Sequence, residues 1–197
     1  MSKPILFLFN GKVAKFGNSV LGTYVEEPQP LDEVTIGNQI WKSKNLAIDD
    51  GQGRIVTQTV NYGQGDVVEY YYTWEAAVRV AASVDGWHLP SMAEWNALVE
   101  AVGGSSTAGT KIKSTYGWDD YQGDSGNGDG SYGFAAFPAG YKYGGSFGGL
   151  GTGSVFWTSD DESNRAYYYT FNRAPAALSG KQSKTTYYYS VRLIKDS

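Results

Sequence analysis

No cysteine occurs among the 197 residues of the chain. That absence removes disulfide frameworks, thiolate zinc sites and cysteine nucleophiles together. Histidine is nearly as scarce, His88 being the only one, so multi-histidine metal sites and His-dependent triads are set aside. Positive charge is also thin: 16 Lys and Arg against 20 Asp and Glu give a net charge of −4. The basic residues are scattered, no patch is available to track a phosphate backbone, and no nucleic-acid partner is expected. Long apolar runs are missing too. The longest, Ile5 to Phe9, is far too short to span a bilayer, and no membrane insertion is expected. Together with the preceding Met1-Ser2-Lys3-Pro4 it lacks the length and cleavage site of a signal peptide. The expected location is cytoplasmic or virion-associated, with release by lysis.

What the chain does have is glycine and aromatic rings: 26 Gly and 15% aromatic residues against only 18% charged. That balance fits many turns and short strands around an aromatic core. The length suits one well-cored domain with a small appendage. Residues 4–16 read as two β-prone runs about Asn10-Gly11, a strong hairpin signal. The Pro28 and Pro30 units that follow read as an extended linker. Residues 1–30 are therefore assigned to a hairpin appendage and linker, and 31–197 to the main domain.

The main domain opens with a second hairpin signal, Val34-Thr35-Ile36, Gly37-Asn38, Gln39-Ile40-Trp41. The polar, glycine-rich segment 50–66 reads as loop. A helix is predicted from Thr73-Trp74-Glu75, with Trp74, Ala77, Val78, Ala81 and Ala82 on its buried stripe. Ser91-Met92-Ala93-Glu94 is a capping box, followed at helical spacing by Trp95, Leu98, Val99 and Val102 and closed by Gly103-Gly104. From 103 to 153 the chain reads as loops and short strands. Within it Gly133 to Tyr141 is predicted to be a buried strand, with Pro138 at an edge or bulge.

The C-terminal stretch joins two apolar strand signals, Phe156-Trp157-Thr158-Ser159 and Ser190-Val191-Arg192-Leu193-Ile194. Between them lies a run rich in Tyr, Ser, Thr, Asn, Arg and Gly. Tyr gives rigid contact area at low entropy cost, and small polar residues give adaptable hydrogen bonds, the composition of a binding surface. Strand alternation places Tyr167, Tyr169 and Phe171 toward the core and Tyr168, Thr170 and Asn172 outward. The candidate contact residues are Asp161, Asn164, Tyr168, Thr170, Asn172, Arg173, Pro175, Ser179, Thr186 and Tyr187. No catalytic residue is assigned, and His88 reads as a satisfied residue at a helix entry. No cofactor is required. The loop with Asp119, Asp120, Asp124, Asn127 and Asp129 offers Ca²⁺-type oxygen ligands, but its spacing departs from the EF-hand pattern and it reads as a solvated loop. The glycines of 144–153 lack the Gly-Lys-Ser/Thr of a phosphate cradle.

The motifs VTIGNQIWKSKNLAI (34–48), YTWEAAV (72–78), GWHLPSMAEWNAL (86–98), YGFAAFPAGY (132–141), FWTS (156–159) and SVRLIKD (190–196) occur in the order found in the Fibrobacter major paralogous domain family. The chain resembles that family over about 32–197. The resemblance implies the formylglycine-generating-enzyme-like branch of the C-type lectin fold: an α+β domain of two helices packed on small twisted antiparallel sheets with long ordered loops. The enzyme chemistry of that branch uses cysteines, which this chain lacks, so the activity does not carry over.

The same branch includes the variable proteins of diversity-generating retroelements. In these, a C-terminal segment is rewritten at template adenines and forms the ligand-binding surface. Residues 160–189 occupy the corresponding place. Every residue from Tyr168 to Gly180 is reachable from an asparagine codon randomised at its first two bases; Glu162, Lys181, Gln182 and Lys184 are not. The implied function is a non-enzymatic receptor-binding protein of a phage or bacterium, with a protein or glycan ligand on a target cell. The N-terminal hairpin would dock it to a phage tail or other assembly. The alternative is a fixed-specificity carbohydrate- or protein-binding cell-surface domain of the same family.

Overall fold

The computed structural model describes residues 15–16, 19–20 and 32–196. The chain divides into two compact units, Met1–Asp32 and Glu33–Ser197. In the first, β1 (Lys15–Phe16) pairs antiparallel with β2 (Ser19–Val20). The hairpin expected about Asn10-Gly11 and the Pro28–Pro30 linker lie outside the described residues.

The second unit runs β3 (Glu33–Ile36), β4 (Gln39–Lys42), β5 (Ile55–Asn61), β6 (Asp66–Tyr72), α1 (Trp74–Ala81), β7 (Trp87–His88), α2 (Met92–Ala101), α3 (Ala108–Ile112), β8 (Tyr141–Tyr143), β9 (Ser146–Gly148), β10 (Gly153–Glu162), β11 (Arg165–Asn172), β12 (Ala177–Ser183), β13 (Tyr187–Tyr188) and β14 (Ile194–Lys195). Its strands form separate antiparallel sheets ordered β10-β11-β12, β13-β8-β9, β3-β4-β14-β7 and β5-β6.

The expected α+β, C-type-lectin-like architecture is overturned. Strand makes up 40% of the described residues and helix only 14%, and the sheets are separate, so the described structure is mostly β. The helices are too short to form a layer: α1 has 8 residues, α2 has 10 and α3 has 5. Part of the strand content comes from the segment expected to be loop. Ile55–Asn61 pairs residue for residue with Asp66–Tyr72, because the β-branched run Ile-Val-Thr-Gln-Thr-Val outweighs the glycines around it.

Local signals act where expected at several points. The β3–β4 hairpin turns at Gly37, whose φ of 62° a side chain would resist. The Ser91–Glu94 capping box forms in full, and Trp95, Leu98 and Val99 are buried along α2. Helix α1 is capped by Thr73, but its buried face is Ala76, Ala77, Val80 and Ala81. Val78 and Ala82 face solvent, a rotation set by where the sheet lies. The strand expected over Gly133–Tyr141 is mostly irregular, though Phe134, Ala136 and Ala139 are buried.

The β10-β11-β12 sheet lies between two apolar clusters. Phe156, Tyr169 and Phe171 join Trp41, Trp95 and Phe134 on one face. Val155, Trp157 and Ala166 join Tyr72, Ala77, Tyr189 and Leu193 on the other. Each fully buried aromatic contributes roughly 1.5–3 kcal/mol, so a central sheet covered on both faces contributes strongly to stability. Beside it, Ser190 N–H donates to Val155 O at 3.0 Å and Trp157 N–H to Ser190 O at 3.2 Å. The strand entering residues 160–189 and the chain leaving it therefore meet.

Candidate binding surface

Residues 160–189 form the β10–β11 turn, β11, the β11–β12 turn, β12 and the return into β13. Register is continuous from Arg165↔Ser183 to Phe171↔Ala177. Asp160 is already committed: its carboxylate accepts the Met92 N–H at 2.6 Å, at the positive end of α2.

The candidate contacts fall at the two ends of β11 and on one face between them. At one end Asp161 and Asn164 are exposed. Lys184 donates to the Asp161 carboxylate through Nζ and to Asn164 O through its backbone at 3.2 Å. Thr186, exposed nearby, lies 3.0 Å from the Ser183 hydroxyl. Glu162 and Lys181 form an adjacent ion pair that holds the carboxyl below and the ammonium above their ordinary pKa values.

At the other end Asn172 accepts the Ala174 N–H at 2.8 Å, and the exposed Arg173 guanidinium lies 5.8 Å from the Tyr121 ring centre. Pro175 is exposed, as is Ser179 on β12. The eight residues of β11 separate the two ends by roughly 25 Å at about 3.3 Å per residue.

The face between them is more enclosed than alternation alone implied. Thr170 donates to Ser154 O at 2.9 Å. Tyr168 is half-buried against Tyr189, ring centres 5.3 Å apart, not outward-facing. Tyr167, expected in the core, is half-exposed with Lys181 over its ring. The causes differ: the second apolar cluster covers the face that carries Tyr168, whereas Tyr167 lies beyond the edge of the first cluster, beside the exposed Glu162–Lys181 pair. Tyr187 lies 4.6 Å from Tyr143 and 5.7 Å from Tyr189. Burial raises the Tyr189 pKa, reinforced by Tyr168 and Tyr187.

Sequence reasoning missed the partners that β8 supplies, Tyr141 and the exposed Tyr143. The signal present was the pairing of two aromatic runs, YKY at 141–143 with YYY at 187–189, which align as Tyr187↔Tyr143 and Tyr188↔Lys142. It also missed Lys113. This buried lysine donates from Nζ to Asn172 O at 3.3 Å, Arg173 O at 3.1 Å and Ala174 O at 3.5 Å. Burial pushes its pKa down to about 8. Gly109 N–H holds Pro175 O at 2.7 Å, and Ala177 N–H donates to Ser105 O at 2.9 Å. The β11–β12 turn is thus gripped through its main chain.

The 119–129 loop spends its polar groups locally. Asn127 accepts the Trp118 N–H at 3.0 Å, and Asp129 pairs with Lys111 at 2.6 Å and binds Ser131. Lys111 and then Ser131 hold the Asp129 carboxyl at about 2. Among the described residues no three His, Cys, Asp or Glu side chains gather as a metal site, so the loop does not bring its three further carboxylates, Asp119, Asp120 and Asp124, together. His88 is shared between Asp196 at 2.6 Å and Glu94 at 2.8 Å. Burial alone would lower its pKa, but the two carboxylates outweigh it and raise it.

The sequence pattern of the Fibrobacter succinogenes major domain matches residues 34–195, and the chain belongs to that family. No curated protein and no solved structure matches it.

Proposed function

We propose that the chain is a non-enzymatic ligand-binding protein whose segment 160–189 is a diversified surface, as in the variable proteins of diversity-generating retroelements. Its ligand is a protein or glycan on a target cell. The observation that supports this is how the segment is held. Lys113 Nζ, Gly109 N–H and Ser105 O, all outside the segment, grip residues 172–177 through carbonyls and an amide. Every residue type has a backbone carbonyl, so such anchoring leaves the exposed side chains free to change without loss of the turn, while Asn172, whose side chain accepts the Ala174 N–H, stays fixed. Asp161, Asn164, Arg173, Pro175, Ser179 and Thr186 are the exposed members of the set and form its variable contacts.

Sequencing the coding segment for residues 150–197 across the source population tests this. The expected result is substitutions concentrated at those exposed codons, with Ser105, Gly109 and Lys113 constant and a near-copy of the segment beside the gene. An invariant segment without a near-copy refutes diversification and leaves a fixed-specificity binder.

A further inference from the structure

Away from that surface, a cleft of about 270 Å³ opens between the β5–β6 hairpin, residues 43–47 and the irregular segment about Ala135. Its walls are mostly apolar. Tyr62 stacks on Phe137 with ring centres 4.8 Å apart, and Tyr116 meets the Phe137 ring edge-on at 5.0 Å. On its lip Val67 and Val68 are 46% and 50% exposed, two adjacent apolar side chains that solvent does not favour. Ala135, which lines the same cleft, holds a φ of 50°. A non-glycine residue in that region stores strain, and such strain clusters at ligand sites.

The floor is polar and nearly dry. Glu69, 6% exposed, accepts from Asn45 Nδ2 at 3.1 Å and from Tyr62 Oη at 3.1 Å. Asn45 Oδ1 in turn accepts from Arg192 Nε at 3.2 Å and Nη2 at 2.8 Å. Arg192 Nη1 is taken by Lys42 O at 3.1 Å and Phe134 O at 2.5 Å. Asn45 Oδ1 is saturated and the guanidinium is nearly so, whereas a carboxylate accepts about four hydrogen bonds and Glu69 receives two here. The unused capacity is therefore acceptor capacity. On the floor Arg192 balances the Glu69 charge across Asn45, and Lys44, the one further charge of the lining, is exposed, where solvent screens it; a charged ligand therefore finds no buried counter-charge.

We propose that this cleft is a small-molecule site for one uncharged ring-sized ligand that donates an O–H or N–H hydrogen bond to Glu69 while its ring lies against Tyr62, Phe137 and the Val67–Val68 lip. The volume suits this, since a cavity of roughly 150 Å³ already holds benzene. Apolar walls with a few convergent polar groups are the ordinary make-up of such a site. The site is separate from the diversified surface and stands whether or not that reading does.

The test is a chemical-shift titration of the full chain, labelled at valine methyls, with benzyl alcohol, benzylammonium and benzoate, three probes that share a ring and differ in charge. Benzyl alcohol is expected to shift Val67 and Val68 selectively and to bind tighter than either ion. Glu69→Gln, which removes the charge but not the shape, should weaken it roughly tenfold through loss of a charge-assisted hydrogen bond. Ala47→Trp, at an exposed residue on the rim, should abolish the shifts while leaving the rest of the spectrum in place. No shift at Val67 and Val68 with any probe overturns the site. Equal or tighter binding of an ion overturns the assignment of a neutral donor, and shifts that survive Ala47→Trp place the probe elsewhere.

Discussion

The ring of Tyr168 lies across Gly180, its cross-strand partner, so closely that a Cβ on the glycine would sit 2.7 Å from the tyrosine Oη. The glycine thus makes room for an aromatic ring that covers the weak point a missing side chain leaves in a strand. Gly180→Ala should cost about 1 kcal/mol or more, the usual size of overpacking. In a Tyr168→Ala background the same change should be neutral or favourable, because alanine suits a strand better than glycine. A double-mutant cycle by urea denaturation reads the coupling, and additive effects would show that the ring does not depend on the glycine.

Lys113 gives the domain a measurable alkaline signature. Its folded pKa of about 8 lies below the ordinary 10.5, so between those values the unfolded chain holds a proton that the native chain has released. Stability therefore rises with pH across that window, by on the order of 2 kcal/mol between pH 8 and 10. Tyr62, Tyr71, Tyr72 and Tyr189 act in the opposite sense. Burial raises each of them, so above their ordinary value of 10.0 the unfolded chain loses protons that the native chain keeps, and stability falls. Denaturation midpoints should pass through a maximum near pH 9–10. Lys113→Met should flatten the rise and leave the fall; a rise unchanged in that variant would mean another group produces it.

His88 should act at the other end of the scale. Its pKa is raised above 6.5, so its ion pairs with Glu94 and Asp196 stabilise fully below that value and fade as pH climbs through the folded pKa. The side chain is 40% exposed, and solvent screening keeps the effect small. The stability gap between the native chain and His88→Gln should be wider at acidic than at neutral pH, measured at low salt. A gap independent of pH would leave only neutral hydrogen bonds at this position.

Much of the local structure was legible because it depends on neighbours in sequence: the Gly37-Asn38 hairpin turn, and the Ser91–Glu94 box with Trp95, Leu98 and Val99 behind it. What escaped depends on partners far along the chain. Whether Val78 or Val80 faces inward is set by which way α1 meets the sheet, and both positions are apolar. The alternation of β11 was read correctly as alternation, but with clusters on both sides it gave no outward face. Ile55–Asn61 looked like loop because its partner strand lies beyond a glycine-rich turn. Lys113 carried no sequence signal, since a lysine that caps three carbonyls looks like any other until the turn it grips is in place. The ten candidate contacts followed from composition and position alone. The structure leaves Asp161, Asn164, Arg173, Pro175, Ser179 and Thr186 exposed and partly encloses Tyr168, Thr170, Asn172 and Tyr187.

Arg192 is fully buried and ties Lys42 O, Phe134 O and Asn45 together, with the Phe134 ring 4.3 Å from its guanidinium carbon. Arg192→Met would strand those oxygens and leave buried Glu69 without its counter-charge, a loss of roughly 3–5 kcal/mol. Arg192→Lys should rescue little, because an ammonium lacks the planar fork that reaches the three oxygens at once. Both variants should show low soluble yield and early urea unfolding. Near-native stability of the lysine variant would reduce the site to one of charge alone.

If the β11–β12 turn is held by its main chain, side-chain changes and backbone-crowding changes must differ in effect. Arg173, Ser179 and Thr186 are exposed, and replacing all three with alanine should shift stability by no more than about 0.5 kcal/mol per site. Gly109→Ala touches none of them. Its new methyl, however, would lie 2.4 Å from Pro175 O, where it must push the carbonyl away from the Gly109 N–H and disturb the Lys113 grip beside it. A cost well above that of the triple variant is expected, about 2 kcal/mol or more, with the turn amides exchanging faster with solvent than in the native chain. The opposite ranking, a tolerated Gly109→Ala and a destabilised triple variant, would mean that exposed side chains of the segment carry its stability, and a surface held by its side chains is not free to vary.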